Sequence, residues 1–284
     1  MNIAVASGKG GTGKTFLSTN LFNVLRKSFK DVAYYDCDVE EPNGHLFIKP
    51  EKTVEEVINV EIPEVDSSKC IKCGKCEEIC QYNAITIIAG KPYVFEDLCH
   101  SCNGCNLVCP VSAISNIKYR VGTVKSGELA NAKFYSGCLD VGKVLTIPII
   151  KRLNRYFHEN SDYINIIDAP PGTSCPVVAS VNSVDYVVLV TEPTKFGLND
   201  LNLIVKMLKN FNVPYSVVLN RSGLGKNSLI EDFCQKENIP LDLKIPFSRE
   251  ISTVYSSGGL FSDYSEDFQK DLLNLFETIK ERLA

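Results

Sequence analysis

Two sets of residues in this 284-residue chain have types and spacings that can do chemistry. The first is Gly8-Lys9-Gly10-Gly11-Thr12-Gly13-Lys14-Thr15, which fits G-x-x-x-x-G-K-(S/T). It lies between an apolar run at 2–6 (NIAVA) and the helically spaced LSTNLFNVLRKSF, the strand-loop-helix context the motif needs. In such a loop the glycines turn backbone N–H groups toward phosphate oxygens and the helix N-terminus adds partial positive charge. Lys14 then reaches the terminal phosphates, and the Thr15 hydroxyl ligates magnesium. Two acidic stretches suit the same chemistry. Asp168 ends the apolar run YINII, where a carboxylate holds a magnesium water, and Asp36 and Asp38 leave the run DVAYYD two residues apart. If the extension continues they share a face, so one can sit by magnesium while the other orients water. ATP with Mg2+ is the expected ligand.

The second set is Cys70, Cys73, Cys76 and Cys80, spaced C-x2-C-x2-C-x3-C and repeated 29 residues later by Cys99, Cys102, Cys105 and Cys109. This is the bacterial ferredoxin pattern, in which three cysteines of one run hold a 4Fe-4S cubane and the fourth ligates the other cluster. One cluster is therefore expected on Cys70, Cys73, Cys76 and Cys109, the other on Cys80, Cys99, Cys102 and Cys105. Zinc is the alternative, but zinc motifs pair two ligand couples, whereas two repeating quartets suit cubanes. Pro110 follows the second quartet and Gln81 replaces proline after the first, which touches the turn and not the ligands. His100, between two ligands, reads as a surface residue.

The wider composition narrows the classes. A formal charge of -4 and no dense Lys/Arg run exclude nucleic acid as the expected partner. No apolar run approaches the ~18–20 residues that cross a bilayer, and Lys9 and Lys14 interrupt the N-terminal apolar stretch, so neither membrane span nor signal peptide is expected and the compartment is cytoplasmic. Twelve cysteines, eight of them within residues 70–109, then suggest metal ligation over disulfides. From Ser262 onward six acids face three basic residues, a poor match to anionic lipid. Leu272, Leu275, Phe276 and Ile279 are expected to pack onto the sheet instead.

The elements that must position these groups follow from the apolar runs. Strands are expected at 2–6, 31–36, 163–167, 185–190, 214–219 and 242–245, alternating with helices such as NDLNLIVKMLKN. Strands apolar on both faces imply an α/β, doubly wound, mainly parallel sheet. Residues 62–118 break that rhythm with their tandem repeat, so they read as a small α+β domain inserted in a surface connection, leaving 1–61 and 119–284 as the main domain.

KGGTGKT, DCDVEEPN and IDAPPG together resemble the MinD/ParA group of deviant Walker A ATPases, which includes the nitrogenase iron protein and the Mrp-type cluster carriers. With the cysteine runs, nearly the whole chain, including APPGTSCPV and IPFSREI, resembles MinD-superfamily ATPases with an inserted two-cluster ferredoxin domain. The resemblance implies that Lys9 crosses a dimer interface to phosphates bound by the partner subunit, hence a homodimer on ATP binding. It implies that Asp38 positions the attacking water, that Asp36 and Asp168 serve magnesium, that Asn220 and Arg221 of VVLNR contact adenine, and that Pro246 and Phe247 lie along the base. Hydrolysis is then slow and partner-dependent. Three uses remain open: ATP-gated electron transfer to a redox partner, assembly or delivery of clusters to an acceptor protein, and a positioning ATPase with a redox-sensing module. Cys138 and Cys175 resemble, in their spacing from Asp168, the pair with which the nitrogenase iron protein shares one cluster across its dimer. Read singly, they and Cys37 and Cys234 are small buried hydrophobes. The C-x-x-C pair of Mrp-type carriers has no counterpart outside the insert.

Overall fold

β1 (Asn2–Ser7) buries five of its six residues, as a strand flanked on both sides and covered on both faces must. The structure is a computed structural model that describes residues 1–160 and 162–284. After β1 come α1 (Lys14–Ser28), β2 (Val32–Asp36), β3 (Lys52–Val65), α2 (Lys75–Ile79), β4 (Ile85–Ile88) and β5 (Lys91–Val94). Next are α3 (Gly104–Leu107), β6 (Ile114–Leu129), β7 (Ala132–Leu139), α4 (Ile147–Glu159), β8 (Ile164–Pro171) and α5 (Cys175–Val181). The chain continues with β9 (Tyr186–Thr191), α6 (Lys195–Leu208), β10 (Tyr215–Ser222), α7 (Ser228–Glu237), β11 (Leu241–Pro246), α8 (Arg249–Ser256) and α9 (Glu266–Leu283). No helix among the described residues is long and apolar enough to cross a membrane.

The chain separates into two units, one of residues 1–55, 124–138 and 150–284, the other of 56–123 and 139–149. The sheet order is β11-β10-β9-β1-β8-β2-β7-β6-β3. Every pair from β11 to β7 is parallel, which is the α/β, mainly parallel architecture expected from apolar runs alternating with helices. β1 lies between β8 and β9, so the loop after it emerges at the carboxyl end of the sheet's centre, where open α/β sheets bind ligands. In the first unit, α1 buries Phe16, Leu17, Leu21, Phe22 and Leu25 in one apolar cluster with β1, β2 and α9. α9 begins at Ser265, whose hydroxyl accepts from Phe268 N. It buries Phe268, Leu272, Leu275, Phe276 and Ile279, so the C-terminal apolar stripe is used in the core.

In the second unit the backbone repeats with the sequence. Left-handed residues stand 29 positions apart at Lys72 and Ser101, Gly74 and Asn103, and Asn83 and Ser112. The amides of Ala84 and Ala113 donate to Cys80 Sγ and Cys109 Sγ, both at 3.2 Å. α2 and α3 occupy equivalent places in the two halves, and β4 pairs antiparallel with β5. Ile62, Ala84 and Cys99 form its small apolar cluster.

Candidate functional site

Gly13 sits at φ 100 immediately before α1, and a Cβ there would lie 2.2 Å from Asn220 Nδ2, so this turn requires glycine. Asn220 Nδ2 donates to Thr12 O at 2.8 Å, and its Oδ1 accepts from Arg221 N at 2.9 Å. Both ends of that amide therefore serve the backbone: Asn220 fastens β10 to the loop. Gly8 is equally constrained, since a Cβ would meet the Asp200 carbonyl oxygen at 2.1 Å where α6 crosses.

Over the loop lies a cavity of about 310 Å³. Gly10, Gly11, Gly13, Lys14, Thr15 and Asp38 form one side of it, while Asn220, Arg221, Pro246 and Phe247 form another. Phe16, Glu41, Asn43, Pro171, Ser248, Ile251, Ser252 and Tyr255 complete the lining. Asn43 closes the quoted DCDVEEPN stretch, but no spacing rule singled it out. Of the α8 residues, Ile251 ends the quoted IPFSREI stretch, while Ser252 and Tyr255 carry no sequence signal.

Three carboxyls converge beneath the loop. Asp36 and Asp168 are fully buried, and β2 ends at Asp36, so Asp38 stands in the following loop and not on a continued strand. Asp36 Oδ2 accepts from Gly44 N at 2.8 Å and its Oδ1 from Asp38 N at 3.2 Å. Burial, reinforced by Asp168, pushes the Asp36 carboxyl well up. Burial also raises Asp168, against Lys14 and the hydroxyls of Thr15, Tyr34 and Ser18. Asp38 is pushed up to about 6, by burial against the opposing charge of Lys14. Asp168 Oδ1 is buried with no partner among the described residues, as is Asn43 Oδ1. A buried, acid-rich pocket with an unpartnered carboxylate oxygen beside Thr15 fits a divalent cation of the magnesium type.

The same crowding makes stability pH-dependent before any nucleotide or cation binds. Folding favours protonated Asp38, so its contribution is fully present below its ordinary pKa of 3.8 and is lost as pH rises through about 6. Asp36 and Asp168 act in the same sense. Unfolding free energies from urea titration should therefore fall across this range in the ligand-free protein, by ~3 kcal/mol at most for Asp38 and by less once solvent screening of this partly exposed group is counted. Asp38→Asn should flatten that limb, and an unchanged slope would count against it.

Lys9 is tied within its own chain. Its Nζ lies 2.5 Å from Glu192 Oε1, while Arg221 Nη1 lies 2.9 Å from Glu192 Oε2. Burial alone raises the Glu192 carboxyl, but Lys9 and Arg221 outweigh it and hold it below the usual range. Glu192, the residue after β9, is 8% exposed, a buried acid that the sequence did not mark.

The second unit holds two cavities. Cys70, Cys73, Cys76 and Cys109 line one, beside Ile71, Lys72 and Lys75. Cys80, Cys99, Cys102 and Cys105 line the other, beside Tyr82 and His100. Among the described residues no group of three or more His, Cys, Asp or Glu stands close enough to hold a single metal ion. Burial raises the thiols of Cys76, Cys99 and Cys105. His100 is exposed and stacks on Tyr82, with centroids 3.7 Å apart and planes 10° from parallel. Of the remaining cysteines, Cys37 and Cys234 are buried, whereas Cys175 is exposed at the start of α5 and Cys138 is half-buried in β7.

Residues 3–261 match the CobQ/CobB/MinD/ParA nucleotide binding domain. An uncharacterized protein of Methanocaldococcus jannaschii is 36% identical over 282 residues, covering 99% of this chain and 97% of that one. An iron-sulfur cluster carrier protein of Pyrococcus horikoshii is 29% identical, over 89% of this chain and 77% of the carrier. The solved septum site-determining protein MinD of Pyrococcus horikoshii, complexed with Mg-ADP, superposes with a TM-score of 0.60 at 17% identity, covering 98% of this chain and 94% of that one. The phosphate loop, the central parallel strands and these matches agree: the chain belongs to the CobQ/CobB/MinD/ParA family of nucleotide-binding domains.

Proposed function

We propose that this chain is an ATP-hydrolysing iron-sulfur protein, an ATP-gated homodimer that couples nucleotide state to electron transfer through two 4Fe-4S clusters to a partner protein. One observation carries the reading: the eight repeated cysteines line two cavities in the crossed sets that two cubanes need, in a chain that also holds an intact phosphate loop. A cluster's four ligands stand around a cavity, farther apart than those of one ion, so four thiols about each cavity fit a cubane. Residues 62–118 are then the ferredoxin-like insert, and 1–61 with 119–284 the ATPase domain.

At the phosphate site, Lys14 and the start of α1 hold the terminal phosphates, Asp38 orients the attacking water, and Thr15, Asp36 and Asp168 serve magnesium. When bound, magnesium neutralises charge developing on the phosphoryl oxygens. Phe247, Pro246 and Arg221 border the base. Lys9 leaves Glu192 to reach phosphates on the partner subunit, so closure exchanges an ion pair within one chain for one across two. The site is cytoplasmic in this reading, with neither nucleic acid nor membrane as partner.

A second reading, cluster assembly or delivery, draws support from the name of the Pyrococcus horikoshii relative. The missing C-x-x-C pair outside the insert argues against it. A positioning role with a redox-sensing insert finds no support in a C-terminal stripe that α9 buries.

Anaerobic purification with iron and sulfide counts, repeated with and without ATP, tests the proposal. About eight irons per chain, with ATP-driven dimerisation that Lys9→Ala abolishes while nucleotide binding persists, is the expected result. Dimerisation undiminished in Lys9→Ala sinks the gated dimer, and ATP-triggered loss of iron to an apo-acceptor moves the reading to delivery. Roughly ten irons would require Cys138 and Cys175 to share a bridging cluster.

A further inference from the structure

We propose that Tyr34 is a positioning residue for the magnesium side of the phosphate site, fixing Asp168 so that one carboxylate oxygen stays free for the cation. The proposal rests on the nucleotide-binding reading above. Tyr34 lies in the middle of β2 and is fully buried, at a position where phenylalanine would fill the same space. A buried tyrosine hydroxyl needs a partner, and the partners here are specific. The hydroxyl donates to Asp168 Oδ2 at 3.1 Å and lies 3.1 Å from Ser18 Oγ. Ser18 Oγ also donates to Thr15 O at 3.2 Å, so its single proton is shared between that carbonyl and the Tyr34 hydroxyl. Ser18 stands one turn after Thr15 on α1, so the chain Ser18, Tyr34, Asp168 links the loop's helix to the acid at the end of β8.

The consequence for Asp168 is an asymmetric carboxylate. Oδ2 is occupied by Tyr34, while Oδ1 is buried and has no partner among the described residues. The Tyr34 bond is what distinguishes the two oxygens in the geometry of the site. With it, the unpartnered oxygen keeps one direction.

The ring is itself held. It stacks on Phe134 at 5.9 Å and 4° and meets Phe22 edge-on at 5.6 Å. Gly44 lies close against it: a Cβ there would lie 2.7 Å from Tyr34 Cε1, 3.1 Å from its hydroxyl and 3.0 Å from Asp36 Oδ2. Gly44 N also donates to Asp36, and the neighbouring Asn43 lines the cavity. One ring therefore contacts the acid of β8 and the segment that carries Asp38 and Asn43.

Tyr34→Phe tests this through binding, read with a fluorescent adenosine diphosphate analogue titrated with and without Mg2+. Affinity without Mg2+ should stay within about twofold of wild type, while the Mg2+ concentration that half-saturates the cation-dependent gain should rise about tenfold. Ser18→Ala, which removes the donor behind the hydroxyl, should shift it the same way by less. An unchanged Mg2+ midpoint in Tyr34→Phe overturns the role of Tyr34, and so does an equal loss of affinity with and without Mg2+, which marks a core residue. A wild-type protein whose nucleotide affinity ignores Mg2+ overturns the phosphate-site reading itself, a failure distinguishable from the other two.

Discussion

Lys14→Ala is expected to abolish ATP hydrolysis and to weaken nucleotide binding by ~100-fold, the equivalent of one charge-assisted phosphate contact worth ~3 kcal/mol. Lys14 is the first residue of α1 and is 6% exposed, so no water takes the place of its ammonium. Its field also opposes the burial that raises Asp38 and Asp168. Removing it leaves Asp38 and Asp168 without that opposing charge, so the ligand-free variant should unfold more readily at pH 7 than at pH 5, and more steeply than wild type over that range. Isothermal titration with ATP and urea unfolding at the two pH values check both halves. Binding within threefold of wild type would remove the phosphate loop from the proposed mechanism.

The second large effect concerns cysteines that are far apart in sequence. Cys109→Ser should empty the cavity whose other three thiols come from the first run, lowering iron from about eight to about four per chain. Cys80→Ser should do the reciprocal. Pairs of substitutions decide the crossing, because changes within one cluster are not additive. Cys73→Ser with Cys109→Ser should still leave about four irons, since both thiols line one cavity. Cys80→Ser with Cys109→Ser should leave almost none. Almost no iron in both double variants would mean that each run closes on itself, and zinc in place of iron would end the cubane reading.

Much of this was open to reading from residue type and spacing alone. β1, β2, β8, β9 and β10 are apolar on both faces, as central parallel strands must be, while β11 at the sheet's edge buries only Ile245. The period of 29 residues in the cysteine runs reappears in the backbone, because left-handed turns at Lys72 and Ser101 are dictated locally by the same short spacings. β3 was not legible. KTVEEVINVEIPEV places charged and apolar residues irregularly, and most of the strand is exposed, so no burial pattern announced fourteen extended residues. The paired carboxylates were half legible: both acids reach the loop region, but the strand stops at Asp36 and Asp38 turns away from its register. Asn220 enters the sequence reading only through the family resemblance, as a base contact; in the fold it lines the cavity while its amide also bonds Thr12 and Arg221. Glu192 and Tyr34 carry no motif. Their roles depend on partners 183 and 134 positions away, which only the folded sheet brings together.

The doubly paired Glu192 has a consequence for the threshold of closure in the proposed cycle. A buried acid with one cationic partner resists losing it, because the remaining bare charge costs several kcal/mol. Glu192 has two, and Arg221 remains when Lys9 departs. The backbone of Arg221, left-handed at φ 53, is held by the Asn220 side chain, so this second cation is anchored independently of Lys9. Lys9 can thus be released without stranding a charge, and the free energy separating the open from the closed arrangement is set by the difference between one ion pair and two. Arg221 in this sense acts as a counterweight, keeping the lysine available to whichever phosphates compete for it most strongly.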